Sequence, residues 1–185
     1  MPVALSVETI RDVPKVLLHD HLDGGLRART VIELADAACY PDVPTDDPEE
    51  LAAWFLGAAH SGSLVRYLET FGHTVGVLQT ADALVRVASE CAQDLAADGV
   101  VYAEVRYAPE QHTNAGLTLD EVVAATLEGF RAGERAAAAA GRRCRVARRV
   151  VHRVRRLRLA GPLPRDLRPH RGGHADRPGD RPGRP

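Results

Sequence analysis

The sequence has few cysteines and no long apolar run. Cys39, Cys91 and Cys144 are widely separated and form no CxxC pair, which argues against a disulfide framework or a zinc knuckle and favours reduced thiols. No stretch approaches the roughly 20 apolar residues of a membrane-spanning helix. The N-terminus lacks a basic segment and a small-residue cleavage site, so we expect no signal peptide. These absences predict a cytoplasmic protein without a membrane partner.

Charge is distributed unevenly along the 185 residues, a length that suffices for one ordinary domain with a core. Residues 1–141 contain 22 acidic and 9 basic side chains, whereas residues 142–185 contain 15 Arg, 3 Asp and no Lys. The overall net charge of −1 therefore hides two segments of opposite sign. We predict a domain over 1–141 and a basic low-complexity tail over 142–185, which is too poor in apolar residues to order itself.

Apolar runs and turn residues predict an α/β chain. Lys15–His19, opened by Pro14, is typical of a buried strand of a parallel sheet, and Val100–Arg106 predicts a second strand. A third strand and then a basic helix could follow residue 141. The predicted helix starts are the capping box Thr30/Glu33, Asp47-Pro48, Thr80, and the capping box Thr118/Glu121. This order leaves open whether the sheet is doubly wound or part of a barrel.

Three further sets of side chains are interpreted as having structural roles and not functional ones. One helical face carries apolar residues with the spacing of a core-facing stripe. Glu104 and Arg106 are interpreted as a strand-end ion pair or scaffold charges. Six histidines fit no metal-ligand spacing and are predicted to lie at the surface. The stripe is Leu64, Tyr67, Leu68 and Phe71, and the six histidines are His60, His73, His112, His152, His170 and His174.

The segment His19-Asp20-His21-Leu22-Asp23-Gly24-Gly25 follows directly from the first predicted strand. Side chains two residues apart on a strand share one face, so His19 and His21 present two imidazoles side by side while Asp20 points away. Two imidazole nitrogens at this spacing suit zinc. Spacing alone leaves a second interpretation open, a pair of solvated or hydrogen-bonded histidines.

Three segments resemble the adenosine deaminase family. Residues 14–24, PKVLLHDHLDG, resemble the opening signature of that family, and residues 98–109, DGVVYAEVRYAP, resemble its second barrel strand. Gln79–Asp82 between them resembles the approach to the helix before that strand. The resemblance covers about residues 10 to 141 and implies the N-terminal part of a (β/α)8 TIM barrel, which in full typically needs about 250 residues.

The resemblance also implies a site and a reaction. His19 and His21 match the first-strand zinc ligands, and Asp23 matches the residue that binds the ribose 5′-hydroxyl, with His21 also against the nucleoside. Related adenine deaminases usually carry Glu at the position of Asp23, so we favour a purine nucleoside as the small-molecule partner. The implied reaction is the hydrolysis of adenosine to inosine and ammonia. The apolar stripe would then line the pocket entrance instead of the core.

Other groups that this chemistry needs have no match in the sequence. The family uses a third histidine and an aspartate as ligands and a glutamate as general acid, on later strands, so the catalytic residues stay unassigned and we expect the chain to be inactive as it stands.

The tail over residues 142–185 has two explanations. It is either an arm that binds nucleic acid or the product of reading the gene out of frame near residue 142. The out-of-frame reading is favoured because no aromatic or Lys interleaves the arginines. Rival functions are another metal-dependent amidohydrolase, such as an adenine deaminase, and a non-enzymatic binding protein; oligomeric state is not predicted.

Overall fold

The computed structural model describes residues 6–142 and 144–148, which belong to one contact unit. Short 3-10 helices follow the first two strands at Leu22–Gly24 and Pro109–His112. In chain order the other elements are α1 (Val7–Asp12), β1 (Lys15–His21), α2 (Ala28–Ala38), α3 (Pro48–Ala59), α4 (Leu64–Val77), α5 (Ala81–Ala97), β2 (Val100–Arg106), α6 (Leu119–Ala139) and β3 (Arg145–Arg148). The basic helix and disordered tail predicted beyond residue 148 lie outside the described residues.

The three strands form one parallel sheet in the order β1-β2-β3. Both strands expected within residues 1–141 are present, and β1 continues two residues beyond the predicted end, to His21. The third strand also forms, at Arg145–Arg148, within the segment that charge alone assigns to the tail. Because all three strands are parallel, their carboxyl ends lie at one edge of the sheet, where ligand sites of α/β proteins are usually found. No helix of the described part is long and apolar enough to cross a membrane.

Local capping chemistry fixes most of the helix boundaries. Asp47 Oδ1 accepts hydrogen bonds from the backbone N–H groups of Glu49 and Glu50 at 2.8 and 2.9 Å. Thr80 caps α5, and Thr118 with Glu121 forms the predicted capping box of α6. These helix starts are confirmed.

The predicted capping box at Thr30 is wrong. Helix α2 begins at Ala28, three residues earlier than a cap at Thr30 would place it, and the buried Thr30 hydroxyl donates to Glu90 Oε2 at 2.7 Å. Glu33 forms an ion pair with Arg86. Both side chains therefore bind helix α5 rather than their own helix end, because tertiary partners compete with the local pattern.

Helices α5 and α6 pack closely on each other and cover one face of the sheet. Two glycines of α6 allow the approach: a methyl group on Gly129 would lie 2.7 Å from Ala88 Cβ, and one on Gly133 would lie 2.8 Å from Ala92 Cβ. The turn from α5 into β2 also requires a glycine, since Gly99 has a φ of +78°. The main core lies between these two helices, β2 and the β1 residue Leu17.

The core-facing interpretation of the α4 stripe is wrong. Leu64 is 69% exposed, and Tyr67 and Leu68 are 40% and 41% exposed. Helix α4 instead buries a different set, Thr70, Thr74 and Val77, against its neighbours. Apolar periodicity identifies residues that share a helix face, but it does not say which face the neighbouring elements cover.

Candidate metal and ligand site

A β-bulge reorients strand β1 within the histidine motif. Leu17 is in register with Ala103 and Asp20 with Val105, so β1 has one residue more than β2 in this interval. His19 absorbs the extra residue with a φ of +67°, a left-handed conformation that non-glycine residues seldom adopt. Such strain persists where the surrounding structure holds it, and it is concentrated at functional sites.

The bulge leaves the two imidazoles on the same side of the strand. The ring centroids of His19 and His21 are 5.4 Å apart, with the ring planes 26° from parallel, and both residues are exposed. The Asp20 carboxylate acts electrostatically on Cys91 of helix α5 and on Asp23. Burial first, and then this carboxylate, raise the pKa of Cys91 to about 12. The side-by-side placement expected from the spacing is therefore present, although it forms through a bulge and not a regular strand.

Asp23 lies in the 3-10 helix after β1 and is only 6% exposed. Its Oδ1 atom is 3.8 Å from His21 Nδ1, and this oxygen accepts no hydrogen bond from the described residues. Burial raises the pKa of the Asp23 carboxyl, while His21 and His112 act in the opposite direction. A buried carboxylate oxygen without a donor is costly, so it indicates a place where a donor group binds.

The end of β2 adds Arg106 to the same region. Arg106 is in register with His21, and its Nε atom is buried with no hydrogen-bond partner in the described part of the chain. The predicted ion pair with Glu104 does not form there, and Glu104 instead accepts a hydrogen bond from the Tyr102 hydroxyl at 3.3 Å. Strand β2 therefore brings an unpaired guanidinium N–H to the sheet edge that carries the histidine pair.

His112 is the functional candidate that sequence reasoning missed. It was predicted to lie at the surface, but it is fully buried at the end of the 3-10 helix that follows β2. Its Nδ1 is 3.0 Å from the Leu78 carbonyl oxygen, and its Nε2 has no partner among the described residues. The sequence feature that could have indicated this position is Pro109, because it turns the chain just after strand β2, whose end faces the site.

The other histidines are dispersed. His73 is half-buried, contrary to the prediction, and its Nδ1 lies 3.3 Å from the Tyr40 hydroxyl. His60 is exposed, as predicted. The remaining three, His152, His170 and His174, lie outside the described residues.

Helix α4 reaches the motif through Phe71. A methyl group on Gly24 would lie 3.5 Å from Phe71 Cζ and 3.7 Å from His21 Cβ. The Tyr67 ring packs edge-on against Phe71, with centroids 5.3 Å apart. One end of the exposed apolar stripe therefore borders the site, which agrees with the pocket-entrance alternative and not with the core.

The donor chemistry of the histidine pair fits zinc. Two exposed imidazoles on one side of a strained strand end are typical zinc ligands, which need neutral nitrogen donors. Within residues 6–142 and 144–148 there is no cluster of three or more His, Cys, Asp or Glu residues that could hold a metal ion. The described residues therefore fit as two ligands of a larger set.

Solved structures establish the class of fold. An amidohydrolase from Burkholderia ambifaria with bound Zn is 24% identical, with a TM-score of 0.62 over 80% of this chain and 38% of that chain. Arabidopsis ADAL complexed with GMP is 23% identical, with a TM-score of 0.61 over 77% of this chain and 41% of that chain. The described unit thus shares its fold with about two fifths of each of these two chains.

Comparison with related sequences narrows the assignment from a class of fold to a family. The adenosine deaminase family model matches residues 14–162, and this match ends further along the chain than the resemblance over about residues 10 to 141. Adenosine deaminase 1 of Streptomyces coelicolor is 63% identical over 158 residues, covering 84% of this chain and 40% of that protein. An adenosine deaminase of Mycolicibacterium gilvum is 64% identical over 142 residues, covering 77% and 39%. The chain belongs to the adenosine deaminase family, and it spans about 40% of the length of these relatives.

Proposed function

We propose that this chain carries the first-strand part of the active site of a zinc-dependent adenosine deaminase. The observation that carries the proposal is the pair of stacked imidazoles of His19 and His21 beside the buried Asp23, at the carboxyl edge of a parallel sheet. The Oδ1 atom of Asp23 accepts no hydrogen bond from the described residues. The family membership of the chain supports the reaction, which is adenosine and water to inosine and ammonia.

His19 and His21 would hold the metal. Zinc in such a site lowers the pKa of water, which is the chemistry that the group supplies when it is bound. The chain's own contribution is to keep two imidazoles side by side and accessible, and the bulge at His19 does this by fixing the backbone before substrate arrives. Because the strand end is already held in this strained conformation, the site does not have to reorganise when substrate binds.

Asp23 would recognise the sugar. Its buried Oδ1 has no donor among the described residues, so a ribose hydroxyl placed there would satisfy it. Phe71 lies next to Gly24 and would shield this part of the nucleoside from water. We assign no general acid within the described residues. A cytoplasmic location belongs to the same proposal and is supported by the three free thiols.

A chimera tests the proposal directly. Residues 14–148 of this chain would replace the corresponding segment of the Streptomyces coelicolor relative, whose identity of 63% makes the remaining contacts compatible. We expect the purified chimera to contain about one zinc per chain, the stoichiometry of a single catalytic site, and to release ammonia from adenosine far faster than from adenine. His19→Ala and His21→Ala should each remove the zinc and the activity.

The control is His60→Ala, which changes an exposed histidine remote in sequence from the motif. Its zinc content and rate should match those of the unmodified chimera. Unchanged zinc in both motif variants would overturn the metal assignment. A folded, zinc-loaded chimera that prefers adenine would overturn the substrate assignment.

A further inference from the structure

The carboxamide of Gln79 joins two parts of the chain that border the candidate site. Gln79 lies in the short linker between helices α4 and α5. Its Nε2 atom donates to the Val75 carbonyl oxygen of α4 at 2.7 Å and to the Gln111 carbonyl oxygen at 2.9 Å. Its Oε1 atom accepts from the backbone N–H of Asn114 at 3.0 Å. One side chain therefore binds both the end of α4 and the loop between β2 and α6, residues 107–118, here called the β2 loop.

These three contacts require a glutamine amide in one orientation. Carbonyl oxygens only accept hydrogen bonds and a backbone N–H only donates, so the reversed amide would place its oxygen against two acceptors and its nitrogen against a donor. Both N–H groups of the amide and its oxygen are in use. A shorter or apolar side chain cannot make all three contacts.

The same linker has a second contact with the β2 loop. His112 Nδ1 lies 3.0 Å from the carbonyl oxygen of Leu78, the residue before Gln79. Leu78 and His112 are both fully buried, and Leu78 belongs to the main core. The linker is therefore bound to the β2 loop at two successive residues.

Helix α4 also contacts the loop after β1. It packs against the 3-10 helix Leu22–Gly24, which carries Asp23. A methyl group on Gly24 would lie 3.5 Å from Phe71 Cζ. The helix thus packs on the loop of Asp23 and is bound at its last turn to the β2 loop. Because a helix transmits displacement as a rigid element, a change at the linker also changes the placement of Phe71.

We infer that Gln79 is a positioning residue of the candidate site: by binding the last turn of α4 to the β2 loop, its carboxamide keeps Phe71 against the loop that carries Asp23. The inference rests on the proposed function only for what is positioned, a nucleoside beside Asp23. The connection between α4 and the β2 loop itself requires neither zinc nor substrate.

Gln93 of helix α5 provides a matched control. Its Nε2 atom donates to the carbonyl oxygen of Ser89, four residues earlier, at 3.1 Å, as that of Gln79 does to Val75. Its second contact is the hydroxyl group of the same serine, at 3.0 Å. Gln79→Ala and Gln93→Ala therefore remove the same amide and the same kind of local contact, but only Gln79→Ala breaks a connection between two elements.

NMR of the 185-residue chain with ¹³C-labelled phenylalanine measures the placement of α4. The three phenylalanines are Phe55, Phe71 and Phe130. Phe130 is 1% exposed in the main core and is the internal reference. We expect Gln79→Ala to shift and broaden the Phe71 signals and to weaken the NOE between the Phe71 ring and Gly24. The Phe130 signals should stay in place.

A purely structural role of Gln79 gives a different result. The substitution would then lower the unfolding free energy but leave the Phe71 signals of the folded chain in place, as Gln93→Ala should. Unmoved Phe71 signals in Gln79→Ala would overturn the inference. A further readout needs no variant: both side-chain N–H protons of Gln79 should exchange slowly with solvent in the unmodified chain, because carbonyl oxygens hold them. Fast exchange would also overturn the inference.

The chimera tests the consequence for the nucleoside. We expect Gln79→Ala to raise KM for adenosine about 2- to 10-fold, the effect of one lost hydrogen bond, with zinc content and kcat little changed. In a Phe71→Ala background it should have no further effect on KM, since Gln79 acts through Phe71. Gln93→Ala should leave KM unchanged. Equal effects of Gln79→Ala on KM with and without Phe71, or a loss of kcat and zinc at constant KM, would overturn the inference.

The two experiments separate this inference from the proposed function. An inactive chimera, together with Phe71 signals that respond to Gln79→Ala in the 185-residue chain, would count against the proposed function alone. An active chimera in which neither KM nor the Phe71 signals respond to Gln79→Ala would count against the role of Gln79 alone.

Discussion

At the scale of single residues, Asp23 differs from its neighbours because it combines burial with a carboxylate oxygen that accepts no hydrogen bond from the described residues. A hydrogen bond to a charged group contributes about 1.5–3 kcal/mol, or roughly 10- to 150-fold in affinity. In the chimera, Asp23→Ala should therefore lower kcat/KM for adenosine by this factor. The loss should be much smaller for 5′-deoxyadenosine, which lacks the hydroxyl.

The matched control is Asp20→Ala, because this variant removes a second carboxylate from the same motif, one that also acts on Cys91 of helix α5. It should affect both nucleosides alike and to a small extent. If Asp23→Ala also lowered both rates equally, Asp23 would have a structural role and the ribose assignment would be wrong.

His73 is the residue that should link stability to pH. Burial lowers the pKa of its imidazole, with Asp42 opposing the effect, and the ring packs against Tyr40 and Trp54. A histidine with a lowered pKa binds fewer protons in the folded than in the unfolded state. Stability should therefore fall as the pH drops below the unfolded value of about 6.5 and recover as the pH rises.

The test is urea unfolding at pH 7.5, 6.5 and 5.5. His73→Gln should reduce the loss of unfolding free energy between the first and last of these values. His60→Gln, at an exposed position, should reproduce the wild-type dependence. An unchanged slope in His73→Gln would assign the acid sensitivity to other groups, such as His112, whose pKa is also lowered by burial.

At the scale of elements, the close approach of α5 and α6 depends on glycine. A methyl group on Gly129 would contact the Val85 carbonyl oxygen and lie 2.7 Å from Ala88 Cβ, so Gly129→Ala must push the helices apart. Overpacking of this kind costs about 1–3 kcal/mol. Gly72→Ala is the control, because this exposed glycine in the middle of α4 has no neighbour within 4 Å.

The two alanine variants should change stability in opposite directions. Gly72→Ala should stabilise the chain by about 0.5–1 kcal/mol through helix propensity alone. Thermal or urea unfolding of both variants measures the difference. If Gly129→Ala did not destabilise the chain, the α5–α6 contact would not be tight; if Gly72→Ala destabilised it, the exposed face of α4 would be constrained in a way that the structure does not show.

Elements were predictable where the signal lies within a few residues of chain. Thr80 and Thr118 cap the helices that their sequence patterns predict, and β2 has its predicted bounds. Thr30 shows the limit, because the same kind of pattern is overridden by a hydrogen bond to Glu90, 60 positions away. The same limit applies to the candidate site. Its predicted residues are close together in sequence, namely His19, His21 and Asp23, whereas the buried His112 contacts the carbonyl oxygen of Leu78, 34 positions earlier.

At the scale of the whole molecule, the described sheet is covered on one face and open on the other. Val16 and Leu18 alternate with Leu17 along β1, and both are 61% exposed, while Leu17 packs into the main core. Strand β1 is also the edge of the described sheet. An exposed apolar strand with free backbone groups is a template for pairing with another chain.

We therefore expect the 185-residue chain to associate as its concentration rises, and Val16→Lys with Leu18→Lys to weaken that association. Lysines at an edge strand oppose pairing through charge and desolvation, and both positions are already exposed, so the unfolding free energy should change little. Sedimentation velocity over a range of concentrations measures the effect. Leu119→Lys is the control, since it adds the same charge at an apolar position that is 46% exposed at the start of α6 and not on the sheet. Equal association of the control, the double variant and the unmodified chain would place the contact away from β1.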